Sequence, residues 1–254
     1  IALKGIVKNI SRTNTAIAAL GIAVAATLGV GTMINSFRDT VVSWLQSGLN
    51  ADLYITAPSL ISRWNDNLLP DSLLQNYSQI KGVKEINYFR DFRINQDETG
   101  YQIFASHLSS SAYNSLKFKS GNKEEAYKKL MEGEIIVTEP FAFRNNIEVG
   151  SEISLNTDKG FKKFEVAGIY YDYASDIGFI MMYYDRFREH WNSPGITGIS
   201  IYFDDGANRD SVISGIYNKT ASNQKLVIRS NKYLLESSIE IFDRTFLIAE
   251  VLKL

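Results

Sequence analysis

Few residues in this chain have the type and spacing that chemistry needs. There is no cysteine among the 254 residues, which removes disulfide frameworks, thiol chemistry and cysteine-ligated zinc together. The two histidines, His107 and His190, belong to no H-E-x-x-H motif and to no cluster of metal-ligand spacing, so each reads as a surface or satisfied core residue. The nearest thing to a carboxylate pair or cation site is Asp172 with Asp176, in Tyr170-Tyr171-Asp172-Tyr173-Ala174-Ser175-Asp176; on an exposed loop those charges are explained by solvation. Asp204-Asp205-Gly206 reads as a turn after a strand. No G-x-x-x-x-G-K-[ST] loop occurs, so the chain has no P-loop route to ATP hydrolysis, and Gly29-Val30-Gly31 is too short for a dinucleotide loop. A Ser-His-Asp set would have to be assembled in space, and no nucleophile signature announces one. We therefore assign no catalytic, cofactor-binding or metal residue. With 27 basic and 28 acidic residues the charge is balanced, which argues against nucleic acid as a partner. Fourteen Tyr, fourteen Phe and Trp44, Trp64 and Trp191 would allow an aromatic groove, but ordinary core packing accounts for most of them. Trp64 alone lies in a clearly polar stretch, where a ligand, the membrane surface or nothing at all could meet it.

The informative features are elements that could hold or move something else. Thr15 to Ile34 is a run of twenty residues without a charged, Asn, Gln or Pro side chain. As a helix at about 1.5 Å per residue it covers roughly 30 Å, the thickness of a hydrocarbon core. Lys4, Lys8 and Arg12 precede it with no acidic residue among them, which places that flank in the cytoplasm and the residues beyond Ile34 outside. A secretory signal would have a shorter run, and the small-x-small site Ala23-Val24-Ala25 lies in its middle. Twelve of the twenty residues are Ala, Gly or Thr and only seven are Ile, Leu or Val. Small residues let a second helix approach, and Gly21, Ala25 and Gly29 fall on one face at a spacing of four. They are the expected helix-packing residues.

Helical periodicity continues past the run. Ile34, Phe37, Val41 and Trp44 are spaced 3, 4, 3, with Arg38, Asp39 and Ser43 on other faces. Near the far end Leu235, Ile239, Phe242, Phe246 and Ala249 are spaced 4, 3, 4, 3. Two such seams, one leaving the membrane and one heading back, are expected to pack antiparallel as a stalk. The apolar tail from Phe246 then reads as the start of a second spanning helix, and the chain as an excerpt of a longer polypeptide.

Between the seams, strands and helices alternate. Strands are predicted at Ala51–Thr56, Val83–Asn95, Tyr101–His107, Glu134–Thr138, Ile153–Asn156, Phe161–Ile169, Gly198–Phe203 and Lys225–Arg229, the second and third joined by a turn at Asp97–Gly100. Helices are predicted from Pro70 to Tyr77, from Lys123 to Glu132 with Gly133 closing it, and from Arg209 to Asn218. The short strands and tight turns of the middle predict a small barrel or sandwich-like module.

This order of parts resembles the FtsX-like (MacB-type) ABC transporter permease family over nearly the whole chain. Ala2-Leu3-Lys4, Asn9, Arg12-Thr13 and Leu20-Gly21-Ile22-Ala23-Val24 look like its cytoplasmic elbow and first helix. Gly133-Glu134-Ile135-Ile136-Val137, Val149 to Leu155 and Phe164 to Ile169 look like its middle strands, and Phe242-Asp243-Arg244-Thr245-Phe246 like its return stalk. The resemblance implies an α+β outer domain with porter-like β-α-β units and an inserted small β subdomain. It also implies a bacterial inner-membrane location, with residues after about 35 extracytoplasmic. The implied partners are a separate cytoplasmic ABC ATPase, a second permease copy or repeat, and a periplasmic protein. The expected division is an elbow (1–14), a transmembrane helix (15–35), a stalk (36–50), porter-like parts (51–132 and 196–230) around the β subdomain (133–195), and the return stalk (231–254). Its expected function is to couple ATP hydrolysis below to movement outside, for efflux or for transmission of force, with no enzymatic activity of its own. The rival from the sequence is a membrane-anchored extracytoplasmic sensor or receptor. A membrane-anchored enzyme is a third class and would need a cluster of perturbed titratable groups in a pocket.

Overall fold

Period-two burial organises the chain from Asn50 to Asn231: Leu53 and Ile55 are buried while Tyr54 and Thr56 are half-exposed, and Ile153 and Leu155 alternate with exposed Glu152 and Ser154. The computed structural model describes residues 10–58, 67–95, 100–172, 174–220 and 225–251. In chain order its elements are α1 (Ile10–Gly48), β1 (Leu53–Thr56), α2 (Ser72–Ser78), β2 (Val83–Ile94), β3 (Tyr101–His107), α3 (Ser110–Ser115), β4 (Phe118–Ser120), α4 (Lys123–Glu132), β5 (Ile135–Thr138), α5 (Glu139–Asn145), β6 (Glu152–Thr157), β7 (Gly160–Tyr170), β8 (Ile180–Tyr183), α6 (Tyr184–His190), β9 (Gly198–Phe203), α7 (Arg209–Lys219), β10 (Val227–Ser230) and α8 (Asn231–Val251). They fall into two compact units, Asn50–Asn231 and Ile1–Leu49 with Lys232–Leu254.

The strands of Asn50–Asn231 form one sheet in the order β10-β1-β9-β2-β3-β8-β5-β7-β4, with β6 paired to β7 beside that path. Its first four strands interleave two β-α-β units, β1-α2-β2 and β9-α7-β10. In each unit the two strands run parallel with one strand of the other unit between them. The two crossover helices touch: Tyr77 and Thr220 share a hydrogen bond of 2.8 Å, and Gly215 leaves room for Ile80, where a Cβ would stand 2.9 Å from a methyl group. The strand-rich middle is joined to this first half edge to edge, through the parallel pair β3–β8. Short strands alone predict a barrel or sandwich there. The difference arises because β3–β8 and β5–β7 are parallel pairs, which need long crossovers instead of hairpins and so extend a sheet. The α+β class stands.

Residues in β5 and β8 are buried on both faces. Ile135, Val137, Ile180 and Met182 join the main core with Phe141 and Phe164, whereas Ile136 and Met181 face a second cluster with Leu130 of α4 and Tyr170. That double covering explains why these strands read as unbroken apolar runs. Helix ends follow local rules. Asn122 caps α4 by accepting from the Glu125 amide at 2.9 Å, Gly133 closes it at φ 116°, and Asn208 caps α7 by accepting from the Ser211 amide at 3.0 Å. The helices α3, α5 and α6 and the strands β4 and β8 are additions to the predicted elements, each being too short to show a period. The predicted turn at 97–100 falls mostly outside the described residues.

Candidate functional site

α1 is one unbroken helix of 39 residues, so it is about 58 Å long at the usual rise. It is long and apolar enough to cross a membrane. Ile17, Leu20, Ile22, Leu28 and Met33 stand exposed around its whole circumference. In water such a surface would be costly; lipid or neighbouring helices remove the cost. Gly21, Ala25 and Gly29 lie on exposed turns, and a Cβ at Gly21 or Gly29 would meet nothing within 4 Å among the described residues.

Just past the apolar run α1 meets α8. The Phe37 ring lies 5.6 Å from Phe242 and 6.1 Å from Phe246, and those two rings are 4.5 Å apart, all within the range of favourable aromatic pairs. One residue further, Arg38 donates from Nε and Nη2 to both carboxylate oxygens of Asp243, at 2.8 and 3.1 Å. Those hydrogen bonds hold the Asp243 carboxyl below its ordinary value. Ile34, Arg38, Ile239, Phe242 and Phe246 line a groove of about 760 Å³ between the two helices. Val41, Trp44 and Leu235 are half-buried. Of the predicted seam residues, the structure therefore brings Phe37, Phe242 and Phe246 into ring contact and sets Ile239 in the same groove. Ala249 and the tail beyond it lie outside what is described of side chains. The Arg38–Asp243 pair escapes sequence reasoning, because two charges 205 positions apart leave no local signal.

The unit Asn50–Asn231 holds no comparable centre among its described residues. Nδ1 of His107 is 2.8 Å from the Tyr183 hydroxyl, and its ring stacks on Tyr88 at 4.7 Å. His190 Nε2 is 3.0 Å from Lys162 Nζ, and burial together with that lysine lowers its pKa. Trp191 is a core residue whose Nε1 donates to the Asn156 carbonyl at 3.1 Å. Trp64 lies outside the described residues. Asp172 departs from expectation: it is half-buried, burial raises its carboxyl, and it accepts from the Ala174 amide at 2.8 Å. Asp176 is exposed. No group of three or more His, Asp or Glu able to hold a metal ion occurs among the described residues.

The chain thus combines a membrane-length helix, a second helix paired with it, and a sheet of interleaved β-α-β units extended by a strand-rich insertion. The family model for the MacB-like periplasmic core domain matches residues 13–218. The chain belongs to this family. An uncharacterized ABC transporter permease protein of Mycobacterium tuberculosis is 31% identical over 259 residues, across 100% of this chain and 30% of that relative. The MacB-like chain thus spans about three tenths of the length of that relative. In fold it is similar to the periplasmic region of MacB from Actinobacillus actinomycetemcomitans, with a TM-score of 0.54 at 12% identity over 77% of this chain and 95% of that one. The matched residues take in the membrane-length apolar helix from Thr13 onward together with most of the sheet.

Proposed function

We propose that this MacB-like chain transmits motion: it couples ATP hydrolysis by a separate cytoplasmic ATPase to movement of the domain outside the membrane, for efflux or for force delivered to a periplasmic partner. The observation that carries the reading is the continuity of α1. A force applied at the inner face travels only through stiff elements, and α1 runs without a break from the apolar run to within a few residues of β1. A tether with a flexible linker would serve a sensor or an anchored enzyme equally well, but would not serve a lever. The Phe37–Phe242–Phe246 cluster and the Arg38–Asp243 pair support the same reading, because they join the outgoing and returning helices just past the apolar run. In this reading Gly21, Ala25 and Gly29 receive a further helix of a second permease copy or repeat. Residues up to 14 are cytoplasmic and those after about 35 are outside.

The test is co-purification from the native membrane in mild detergent. The expected result is an ABC ATPase that travels with the protein and whose hydrolysis rate changes on binding. A kinase or other signalling partner in its place would favour the sensor and overturn the proposal.

A further inference from the structure

The outer unit is entered at β1 and left at β10, and these strands are neighbours: Leu53, the first residue of β1, is paired with Ser230, the last of β10. Around that pair the hydrogen bonds converge on one residue, Asp52. Its amide donates to the Ile201 carbonyl at 3.0 Å. Its carboxylate accepts from the Phe203 amide at 2.9 Å, which adds one rung to the β1–β9 ladder beyond the end of β1. Its carbonyl accepts twice, from Arg209 Nη2 at 2.8 Å and from the Asn231 amide at 3.3 Å. A carbonyl oxygen has two lone pairs and can hold both donors. Arg209 opens α7, Asn231 opens α8, and the Arg209 guanidinium also lies 5.9 Å from the centre of the Phe203 ring. Close to Asp52, Asn50 accepts from the Tyr202 hydroxyl at 2.7 Å.

We infer that Asp52 and Arg209 are positioning residues that hold the two chain crossings, residues 50–52 and 230–231, at one fixed separation. The Asn231 bond, at 3.3 Å, lies just beyond the usual range for N–H to O. Beside it the Arg209 contact supplies a second, charge-assisted donor to the same oxygen, and the carboxylate pins Asp52 to β9. With both in place the outgoing and returning helices act on the domain as a pair; without them each is a separate tether whose first turn can fray. This inference rests on the reading that the domain is moved through its helices. Its residues lie at the surface end of the sheet and outside both hydrophobic clusters, so they can be altered without emptying the core.

The absence of cysteine in the chain permits a direct test. Exposed Gln46 and Lys232, near the ends of the two helices, are replaced as a pair (Gln46→Cys with Lys232→Cys) and spin-labelled. Their distance distribution is then read by pulsed electron resonance on the membrane protein reconstituted in lipid nanodiscs. The expected result is a single narrow distribution that Arg209→Ala and Asp52→Ala each broaden. Asp52→Asn should retain it, since an amide oxygen still accepts from Phe203 and the main-chain carbonyl is untouched. An unchanged width in Arg209→Ala, or equal broadening by Asp52→Asn and Asp52→Ala, would overturn the inference. So would equal broadening by the core variant Ile199→Ala, because the effect would then be general loosening. The labels need no ATPase, so failure of an ATPase to co-purify leaves this result standing. An unchanged width beside an active ATPase refutes the joint alone.

Discussion

Asp91 shows how much of the chemistry is invisible at the level of single residues. It sits half-buried on β2, and Gln102 Nε2 donates to both of its carboxylate oxygens, at 2.9 and 3.1 Å. Burial raises its carboxyl above the ordinary 3.8, with the Gln102 bonds and nearby Arg90 opposing that rise. A raised folded value means that the folded protein binds the proton more readily than the unfolded chain does. Around neutral pH the ionised carboxylate therefore subtracts stability, and that loss is recovered as pH falls through the folded value towards the ordinary one. Gln102 Oε1 is buried with no partner among the described atoms. Asp91→Asn removes the charge that burial disfavours. The expected gain is about 1 kcal/mol at pH 7, or ~2–4 °C in a thermal melt of a unit this size. The gain should shrink as the melt is repeated at lower pH. None of this is legible in the sequence: Asp91 falls there inside the predicted strand Val83–Asn95 with nothing to mark it, and Asp172 reads as a solvated loop charge. What decides both is the burial set by strands distant in sequence.

At the scale of elements, periodicity and punctuation carry far. Ile34 and Phe37 with Leu235, Ile239, Phe242 and Phe246 mark two helix faces by spacing alone, and Gly133 marks the end of α4. The long strands β2, β3, β7 and β9 are also readable, because each shows alternation or a bounded apolar run. Elements shorter than two turns are not, since a period needs repeats to be seen. One consequence sits at Gly178, before β8. It has φ +70°, and a Cβ there would overlap the Phe141 amide nitrogen and Thr138 Oγ1. Thr138 Oγ1 in turn accepts from the Phe179 amide at 3.0 Å, tying the loop to the start of α5. Gly178→Ala should cost roughly 1–3 kcal/mol in denaturant titration. A second consequence concerns the helix pair. Arg38→Asp should weaken the contact of α1 with α8, and the exchange Arg38→Asp with Asp243→Arg should restore it. Disulfide cross-linking between Asn35→Cys and Ile239→Cys, both lining the groove, reads this contact; failure of the exchange to restore it would mean that the pair is incidental.

For the molecule as a whole, the order of parts is readable in the sequence and their pairing is not. The β-α-β units at either end can be picked out by composition, yet nothing local says that β9 inserts between β1 and β2. Nor does anything local say that β8 lies parallel on β3 and carries the middle strands into the same sheet. Those pairings are long-range, fixed by which faces two cores can cover at once. The membrane side is the reverse case. The apolar run is evident from composition alone. If Gly21, Ala25 and Gly29 receive another helix, Ala25→Leu should block assembly in the membrane while Ala25→Gly is tolerated, as read by detergent-resistant oligomer on a native gel. The central claim is that ATP use below moves the outer domain through α1 and α8. Its most direct test is the distance between labels at Gln46→Cys and Lys232→Cys in the permease reconstituted with its co-purifying ATPase, compared without nucleotide and with ATP trapped by vanadate. Coupling through the helices predicts two distinct distributions that interconvert with nucleotide state; one distribution in both states, from a complex that hydrolyses ATP, would contradict it.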